Sequence, residues 1–370
     1  MQALSDMRPS AWVDWLGGFV AGRPKLWKRL GRIESGYLFD RIERTAVDRP
    51  MYIAGLARAG STLLLEILAG CPGTASHRYC DFPPLLTPYW WGWFMDRAAR
   101  REQEPVERAH RDRLRVTAMS PEALEEPVWM SFFPDIHDPG VDQTLDAATQ
   151  RPDFEDFYRK HVKKLLLVRK GRRYLAKGNY NATRLAYLLR LFPDARFVVP
   201  VREPAAHVGS LVKQHRLFCQ VESEEPRVLN YMRRVGHFEF GLDRRPVNTG
   251  DAASLQATLD AWAADRDAEG YAHQWDAVYS LLARQIESDA ALRKAVLVLR
   301  YEDLCRDPES ELRRLFSHVG PHVELPGEAR IAAWRDRISA PDYYGPQLTA
   351  EESAAVRDIA ARTAERFGYS

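Results

Sequence analysis

The chain has 370 residues, of which 45% are hydrophobic and 28% charged, and its formal net charge is +2 at pH 7. This composition is typical of a soluble globular protein that is long enough to bury a large core. The near-balanced charge argues against a protein that binds nucleic acid through a strongly basic face, and no apolar run reaches the roughly 18 residues of a membrane span.

The first segment, 1–47, is predicted to be helical and amphipathic. Apolar side chains share one face and basic ones follow them: Trp12, Trp15, Leu16, Phe19 and Val20, then Lys25, Lys28, Arg29 and Arg32. A basic amphipathic helix either lies on a membrane surface or, more often, covers the core of its own domain. The segment lacks a signal-peptide pattern, and the four cysteines lack metal-ligand spacing. We therefore expect a cytoplasmic protein with free thiols, or one held peripherally at the inner face of the membrane.

A strand, a glycine-bearing loop and a helix are predicted at 51–68. Residues 52–54 form a short apolar run typical of a buried parallel strand, and apolar residues with helical spacing occupy 63–68. The loop between them holds glycines, an arginine and two hydroxyl groups. The free N–H groups of such a loop and the dipole of the following helix point at one spot. We expect a phosphate-like anion to bind at 57–62.

An irregular, proline-rich stretch at 71–88 comes next and contains His77 and Asp81. Five aromatic side chains then occur within residues 89–94. They belong to the core, to a platform that stacks on an acceptor sugar, or to an interfacial patch that reaches a lipid-linked acceptor. Because much of the sequence that follows is highly charged, we predict a helical insertion over 89–150.

The second half of the chain alternates strands and helices. Strands are predicted at 173–178, 195–201 and 295–301. Helices are predicted at about 183–191, 202–218 and 308–319, and one or two helices over 254–287. This alternation indicates an α/β fold with a mostly parallel sheet flanked by helices. We expect a single domain over 1–370 with a core of about 48–320.

Ligands of open α/β sheets bind beyond the carboxyl ends of the strands. Four side chains from distant parts of the sequence fall at that edge: Arg58, Lys177, Arg202 and Tyr301. Three of the four carry a positive charge, so the predicted crevice suits an anion.

The loop at 55–62 nearly fits the GxxxxGK[ST] pattern of nucleotide-hydrolysing proteins. Ser61, however, stands where a lysine reaches the β- and γ-phosphates, and no acidic strand end offers a magnesium ligand. Without that lysine and metal, a triphosphate would lack most of its charge compensation. The loop therefore suits a smaller anion bound without a metal, and a kinase-like phosphotransferase is the second hypothesis.

The sequence GLARAGSTLL at 55–64 resembles the GxPRSGTTLL loop of sulfotransferases that use 3′-phosphoadenosine 5′-phosphosulfate (PAPS). The family's second signature reads roughly KxP, then FPxAxF, then RDP, and a serine eight residues past the arginine. It is matched here by Lys177, FPDARF at 192–197, REP at 202–204, and Ser210. In this chain Gly178 and Asn179 replace the small residue and the proline after the lysine. The sequence YEDLCRDP at 301–308 is similar to a third family segment. Ala57, Ala59, Ser61 and Glu203 depart from the family pattern, but none of these departures removes a cationic ligand.

The resemblance implies the nucleotide-kinase-like sulfotransferase fold and a PAPS-dependent sulfotransferase that needs no metal. In that family the loop holds the 5′-phosphosulfate, and the arginine and serine of the second signature bind the 3′-phosphate. The implied donor-binding residues are Arg58, Ala59, Gly60, Ser61, Thr62, Arg202 and Ser210, with Tyr301 as a further contact or a core residue. Arg58 and Lys177 are also expected to stabilise the charge that develops during transfer.

The reaction also needs a base to accept the proton of the acceptor hydroxyl. Related enzymes use a histidine or a carboxylate, in several of them from the segment after the first helix, so His77 and Asp81 are the candidates. Either residue alone could instead be a loop histidine or a turn cap. The expected acceptor is a hydroxyl group of a carbohydrate or glycolipid. A non-catalytic nucleotide-binding module that lost its base is the third hypothesis.

Overall fold

The computed structural model of the protein describes residues 9–98, 106–107, 115–320, 328–338 and 348–369. Its centre is a five-stranded sheet in the order β2-β5-β1-β6-β7, and every neighbouring pair in it is parallel. The strands are β1 (Met51–Ala54), β2 (Thr74–Ala75), β5 (Arg173–Gly178), β6 (Arg196–Val201) and β7 (Val296–Arg300). The predicted parallel sheet is confirmed.

Helices cover the sheet and extend the domain. The first nine are α1 (Ala11–Ala21), α2 (Pro24–Tyr37), α3 (Phe39–Glu43), α4 (Ser61–Ala69), α5 (Pro88–Ala98), α6 (Glu126–Phe132), α7 (Pro152–Arg169), α8 (Leu185–Leu191) and α9 (Pro204–Glu224). The others described are α10 (Pro226–Val235), α11 (Ala252–Ala263), α12 (Asp267–Ser288), α13 (Ala290–Ala295), α14 (Tyr301–Arg306), α15 (Pro308–Val319), α16 (Glu328–Arg335) and α17 (Ala350–Arg366). Two short strands, β3 (Val106–Glu107) and β4 (Arg115–Val116), pair antiparallel outside the sheet.

The central strands are buried on both faces, which explains their continuous apolar sequences. All four residues of β1 are buried. Tyr52 packs into one apolar cluster and its neighbour Ile53 into another, because successive side chains of a strand point to opposite faces. Ile53 pairs with Lys177 of β5 and Val198 of β6, so the ends of these strands lie at one edge of the sheet.

Most element predictions agree with the structure, and the differences are local. The predicted strand at 295–301 ends at Arg300, and Tyr301 begins α14 instead. The region 254–287, where one or two helices were expected, forms two, α11 and α12, in agreement with the prediction. The two-residue strand β2 was not predicted. In the 89–150 region the structure has α5, α6 and the β3–β4 pair, while part of that region lies outside the described residues.

The N-terminal segment forms three helices, and α2 is fixed firmly to the domain. A Cβ atom at Gly31 would lie 2.5 Å from the carbonyl oxygen of Leu86, so only glycine permits this close approach. On the same inner face, Glu34 and Lys164 form a fully buried ion pair with 2.8 Å between Oε2 and Nζ. The apolar face of α1, by contrast, does not cover the core, because Trp12 and Trp15 are 59% and 61% exposed.

The aromatic stretch 89–94 lies in α5. Trp90 and Trp91 are partly buried, whereas Trp93 and Phe94 are exposed. The indole N–H of Trp91 donates to the carbonyl oxygen of Cys80 at 2.8 Å, which ties α5 to the segment before it. No helix in the described part of the chain is long and apolar enough to cross a membrane.

Candidate functional site

The loop between β1 and α4 has a backbone that few sequences can adopt. Arg58 and Gly60 both have positive φ angles, 72° and 90°. A Cβ atom at Gly60 would lie 2.7 Å from Cδ2 of Tyr301, so a side chain is excluded by both conformation and space. A non-glycine residue in the left-handed region is uncommon and is concentrated at functional sites. The loop thus places Arg58 at the amino end of a nine-residue helix, which is suited to anions.

Arg58 and Ser210 meet at this edge of the sheet although they lie 152 residues apart in the sequence. The Nε atom of Arg58 donates a hydrogen bond to Oγ of Ser210 at 3.2 Å. Ser210 is buried on α9, whose N-cap Glu203 accepts a hydrogen bond from the backbone N–H of Ala206. Two residues that the sequence assigned to separate phosphate contacts are therefore adjacent in the fold.

Arg202 and Tyr301 also meet, at the ends of β6 and β7. The guanidinium carbon of Arg202 lies 5.3 Å from the centre of the Tyr301 ring, which is the geometry of a cation–π contact. The backbone N–H of Glu203 donates to Oε1 of Glu302 at 2.9 Å and holds the two strand ends together. Tyr301 thus contacts both Gly60 and Arg202.

His207, on the same helix as Ser210, also fixes the loop. Its Nε2 atom lies 2.7 Å from the carbonyl oxygen of Ala57, to which it donates. The pKa of His207 is lowered to about 3, mainly by burial and also by the positive charges of Arg202 and Arg58, against the effect of that hydrogen bond. His207 is therefore a neutral donor.

The remaining predicted loop residues lie where the sequence placed them. Lys177 is buried near the carboxyl end of β5, directly beside Ile53 of β1. Ala59 and Ser61 are buried and Thr62 is partly exposed. Lys213, which the sequence did not single out, has its pKa lowered by burial and by the charge of Arg58. We call the loop 55–62 with Lys177, Arg202, Ser210 and Tyr301 the loop group; it concentrates positive charge at one edge of the sheet.

His77 and Asp81 form a second set of contacts, in the segment that follows β2. Nδ1 of His77 lies 3.3 Å from Oδ2 of Asp81, which also accepts from the backbone N–H of Arg78 at 2.9 Å. The other carboxylate oxygen is paired with the guanidinium group of Arg169. Burial opposes ionisation of Asp81, but the hydrogen bond from His77 and the charge of Arg169 outweigh it and lower its pKa.

The second ring nitrogen of His77 faces another buried histidine. Nε2 of His77 lies 3.1 Å from Nε2 of His161 on α7. Burial, together with the nearby charges of His77 and Lys164, holds the pKa of His161 well below its ordinary value. Since Asp81 accepts from Nδ1–H of His77, Nε2 of His77 is the proton acceptor in the neutral pair, and His161 donates to it.

Glu125 is a buried carboxyl group beside these histidines that sequence reasoning missed. Its Oε1 atom accepts from the hydroxyl groups of Tyr158 and of Tyr174, the latter at 2.6 Å. Burial raises the pKa of Glu125, although these hydrogen bonds and the charge of His77 act in the opposite direction. We call His77, Asp81, His161, Arg169 and Glu125 the histidine cluster.

The structure brings the predicted site residues together as two groups. All of the predicted donor-binding residues lie in the loop group, and the two candidate bases lie in the histidine cluster. Sequence reasoning missed His207, His161, Arg169 and Glu125. For the last three, the sequence carried no signal stronger than a polar residue within or next to a helix.

Comparison with known proteins shows the family to which the chain belongs. The model of the sulfotransferase family matches residues 50–234. The omega-hydroxy-beta-dihydromenaquinone-9 sulfotransferase Stf3 of Mycobacterium bovis is 24% identical over 351 residues, which cover 89% of this chain and 78% of that protein; the Mycobacterium tuberculosis protein of the same name matches equally. In structure, the chain is similar to sulfotransferase STF9 of Mycobacterium avium, with a TM-score of 0.51, 17% identity, and coverage of 91% and 82% of the two chains.

Proposed function

Because the chain belongs to the sulfotransferase family, we propose that it transfers a sulfuryl group from PAPS to the hydroxyl group of an acceptor. The observation that carries this proposal is the contact of Arg58 with Ser210, since it joins the anion-binding loop to the residue expected at the 3′-phosphate. ATP lacks a 3′-phosphate, so a site of this kind favours PAPS over ATP.

The loop group supplies the contacts that the donor needs. The backbone N–H groups of residues 57–62 and the amino end of α4 would hold the 5′-phosphosulfate. Ser210 accepts from Arg58, so its own O–H group is available to donate to the 3′-phosphate, beside the guanidinium of Arg202. The positive charges of this group would compensate the negative charges of the donor without a metal.

The proposed reaction exchanges one S–O bond for another. The acceptor oxygen attacks sulfur as the bond from sulfur to the bridging oxygen breaks, giving a sulfate ester and 3′,5′-adenosine bisphosphate. Negative charge grows on the bridging and peripheral oxygens. Arg58, Lys177 and the N–H groups of the loop would stabilise this charge, because they are already in position before the reaction starts.

The histidine cluster would remove the proton of the acceptor. Both carboxylate oxygens of Asp81 are bonded, one of them to the guanidinium group of Arg169. Nε2 of His77 is also bonded, to His161, but it carries the lone pair that a base requires. We propose that His77 accepts the proton of the acceptor hydroxyl. Asp81 would orient the ring of His77 and stabilise the imidazolium that forms. An acceptor hydroxyl bound at this nitrogen takes the place of the hydrogen bond from His161.

We propose a glycolipid, or another lipid-like molecule that carries a hydroxyl group, as the acceptor. The name of the Stf3 relatives describes a hydroxylated menaquinone, which is such a molecule. Exposed aromatic side chains on α5 are consistent with an apolar acceptor, and a soluble carbohydrate is the other member of the expected class. An acceptor of this kind would place the enzyme at the cytoplasmic face of the membrane.

Calorimetry with 3′,5′-adenosine bisphosphate and 5′-AMP tests the donor assignment. We expect the bisphosphate to bind at least about tenfold more tightly, and Arg202→Ala to abolish most of that preference. Equal affinity of the wild type for both nucleotides would contradict the proposal. ATP with magnesium should give neither phosphoryl transfer nor a thermal shift, which excludes the kinase-like alternative.

The base is tested separately by transfer of labelled sulfate from PAPS. His77→Gln should lower kcat by about 100-fold or more and Asp81→Asn should lower it less, while both keep the affinity for 3′,5′-adenosine bisphosphate. If neither substitution reduces transfer, the assigned base is wrong. If the wild type binds the nucleotide but transfers sulfate to no hydroxylated lipid or sugar, the chain is a binding module.

A further inference from the structure

The outer faces of α1 and α2 combine exposed aromatic rings with exposed positive charge. On α1, the rings of Trp12 and Trp15 stack with centres 5.4 Å apart, and Phe19 continues the row at 6.0 Å from Trp15. On α2, Ile33 and Tyr37 are 51% and 74% exposed. Soluble proteins rarely expose apolar groups in such a continuous set unless they bind something there.

The positive charges on these faces are not neutralised by neighbouring acids. Residues 15–33 contain five basic residues and no acidic one. Lys28 donates to the carbonyl oxygen of Ser131, but Lys25, Arg29 and Arg32 are exposed, and the described ranges show no carboxylate within ion-pair distance of them. Arg23 lies over the ring of Phe19 at 4.3 Å and joins the two helices' outer faces.

The interior contacts of α2 explain why its apolar residues stay outside. Gly31 and the buried Glu34–Lys164 pair hold one side of the helix against the domain, and the backbone N–H of Trp90 donates to Glu34 at 2.7 Å. Leu26, Arg29 and Ile33 are spaced by three and four residues, so they share the opposite side. The exposed face is therefore presented by a helix that cannot rotate to bury it.

We propose that the outer faces of α1 and α2 dock the protein on the surface of an anionic lipid bilayer. Tryptophan and tyrosine rings insert at the level of the lipid headgroups, and arginine and lysine pair with anionic headgroups beside them. The alternation of apolar and basic side chains along α2 fits a surface that offers both kinds of contact. The apolar face of a protein partner would leave Lys25, Arg29 and Arg32 without anions.

Docking there brings the histidine cluster close to the bilayer. A Cβ atom at Gly17 of α1 would lie 3.3 Å from the ring of Phe82, which directly follows Asp81 in the sequence. Tyr37 of α2 contacts Trp90 of α5 with ring centres 6.3 Å apart. The docking helices thus adjoin the segment that carries the proposed base. Bilayer binding is independent of the proposed reaction, whereas delivery of a lipid acceptor rests on it.

Co-sedimentation with vesicles tests the docking surface. The full-length protein should bind vesicles of phosphatidylcholine with phosphatidylglycerol, bind phosphatidylcholine alone weakly, and dissociate at high salt. Replacing Trp12 and Trp15 together by serine should lower the affinity for anionic vesicles about tenfold or more, and so should Arg29→Glu with Arg32→Glu.

Two matched variants control for exposure and charge. Leu242→Ser with Val141→Ser removes two exposed apolar residues elsewhere, and Arg306→Glu with Arg362→Glu makes the same change in net charge on another surface. Both should bind vesicles like the wild type. If the wild type does not bind anionic vesicles, or if the paired variants and controls bind alike, the proposal is wrong. Self-association that is lost in the tryptophan variant, without vesicle binding, would assign the surface to a second copy.

The outcome is separable from that of the proposed function. Each docking variant should keep the wild-type affinity for 3′,5′-adenosine bisphosphate and the wild-type melting temperature. Equal affinity for 3′,5′-adenosine bisphosphate and 5′-AMP would overturn the donor assignment but leave vesicle binding unaffected. Absence of vesicle binding would overturn the docking surface but leave the donor assignment unaffected.

Discussion

The loop group and the histidine cluster are built in different ways. The loop group consists mainly of backbone geometry and arginine side chains that keep some access to solvent, such as Arg58 and its bond to Ser210. The histidine cluster is a closed network of buried polar groups, in which Asp81 is bonded on both oxygens and His77 on both nitrogens. The loop group is arranged to bind a negatively charged ligand, whereas the charges within the histidine cluster are already paired with one another.

This difference separates what each group contributes. An anion site needs cations that are not fully neutralised, so its residues add little to stability and much to binding. A buried network needs every member, because removing one partner leaves a charge or a hydrogen-bonding group unpaired. Substitutions in the loop group should therefore act on the reaction, and those in the histidine cluster on folding as well.

The largest effect should follow from Arg169→Met in the histidine cluster. It removes the partner of Asp81 in an ion pair whose side chains are only 2% and 4% exposed. Breaking such a pair costs about 3–5 kcal/mol, measurable as the free energy of unfolding in urea. Arg190→Met provides the control, since its pair with Glu155 is partly exposed and should cost about 1 kcal/mol or less. If Arg169→Met and Arg190→Met lowered the free energy of unfolding equally, the buried ion pair would contribute no more to stability than an exposed one.

Arg58→Ala should have the next largest effect, on catalysis rather than stability. Loss of one preorganised donor to the developing charge is expected to lower kcat/KM for PAPS by about 100- to 1,000-fold. The free energy of unfolding should change little, because Arg58 is partly exposed. Lys213→Ala, which removes an exposed cation near Arg58, is the control and should reduce kcat/KM far less. A loss below about tenfold for Arg58→Ala would argue that the arginine only supports the loop.

The dependence of stability on pH should show that His207, which contacts the loop group, and His161 of the histidine cluster are both neutral in the fold. The pKa of His207 is about 3 in the fold against an ordinary value of 6.5, so the unfolded chain takes up a proton first. The contribution to stability is complete above pH 6.5 and is lost as the pH falls toward 3, by up to about 1.4 kcal/mol per pH unit.

Replacing His207 by glutamine keeps a donor for Ala57 but removes the titration. The unfolding free energy of this variant should fall less steeply below pH 6.5 than that of the wild type. His161→Gln should flatten the same slope, since its pKa is also well below the ordinary value. An unchanged slope in either variant would show that the histidine is protonated in the fold.

The two groups also differ in how far the sequence predicts them. The loop group was predicted because its residues follow strands that have clear patterns of their own, and the carboxyl ends of parallel strands share one edge. Arg58, Lys177, Arg202 and Tyr301 needed only that rule. The positive φ of Arg58 and the close approach of Tyr301 to Gly60 are consequences of packing that no local pattern indicates.

The histidine cluster was predicted only in its local part. His77 and Asp81 are four residues apart, but His161 and Arg169 come from a helix more than eighty residues later. β2 has two residues, too few for a periodic pattern, so the direction in which His77 leaves the sheet was not predictable. Likewise, the exposure of Ile33 and Tyr37 depends on how α2 is held by Gly31 and Glu34, and an amphipathic pattern fits burial equally well.

The smallest effect, Ser210→Ala, tests the contact that joins the two phosphate sites. The variant loses one hydrogen bond to the 3′-phosphate, so its affinity for 3′,5′-adenosine bisphosphate should fall about tenfold. The affinity for 5′-AMP, which has no 3′-phosphate, should stay unchanged in calorimetry. Ser223→Ala, at an exposed position of the same helix, should leave both affinities unaltered. Equal losses for the two nucleotides would mean that Ser210 serves the donor only by positioning Arg58, and the 3′-phosphate would then rest on Arg202 alone.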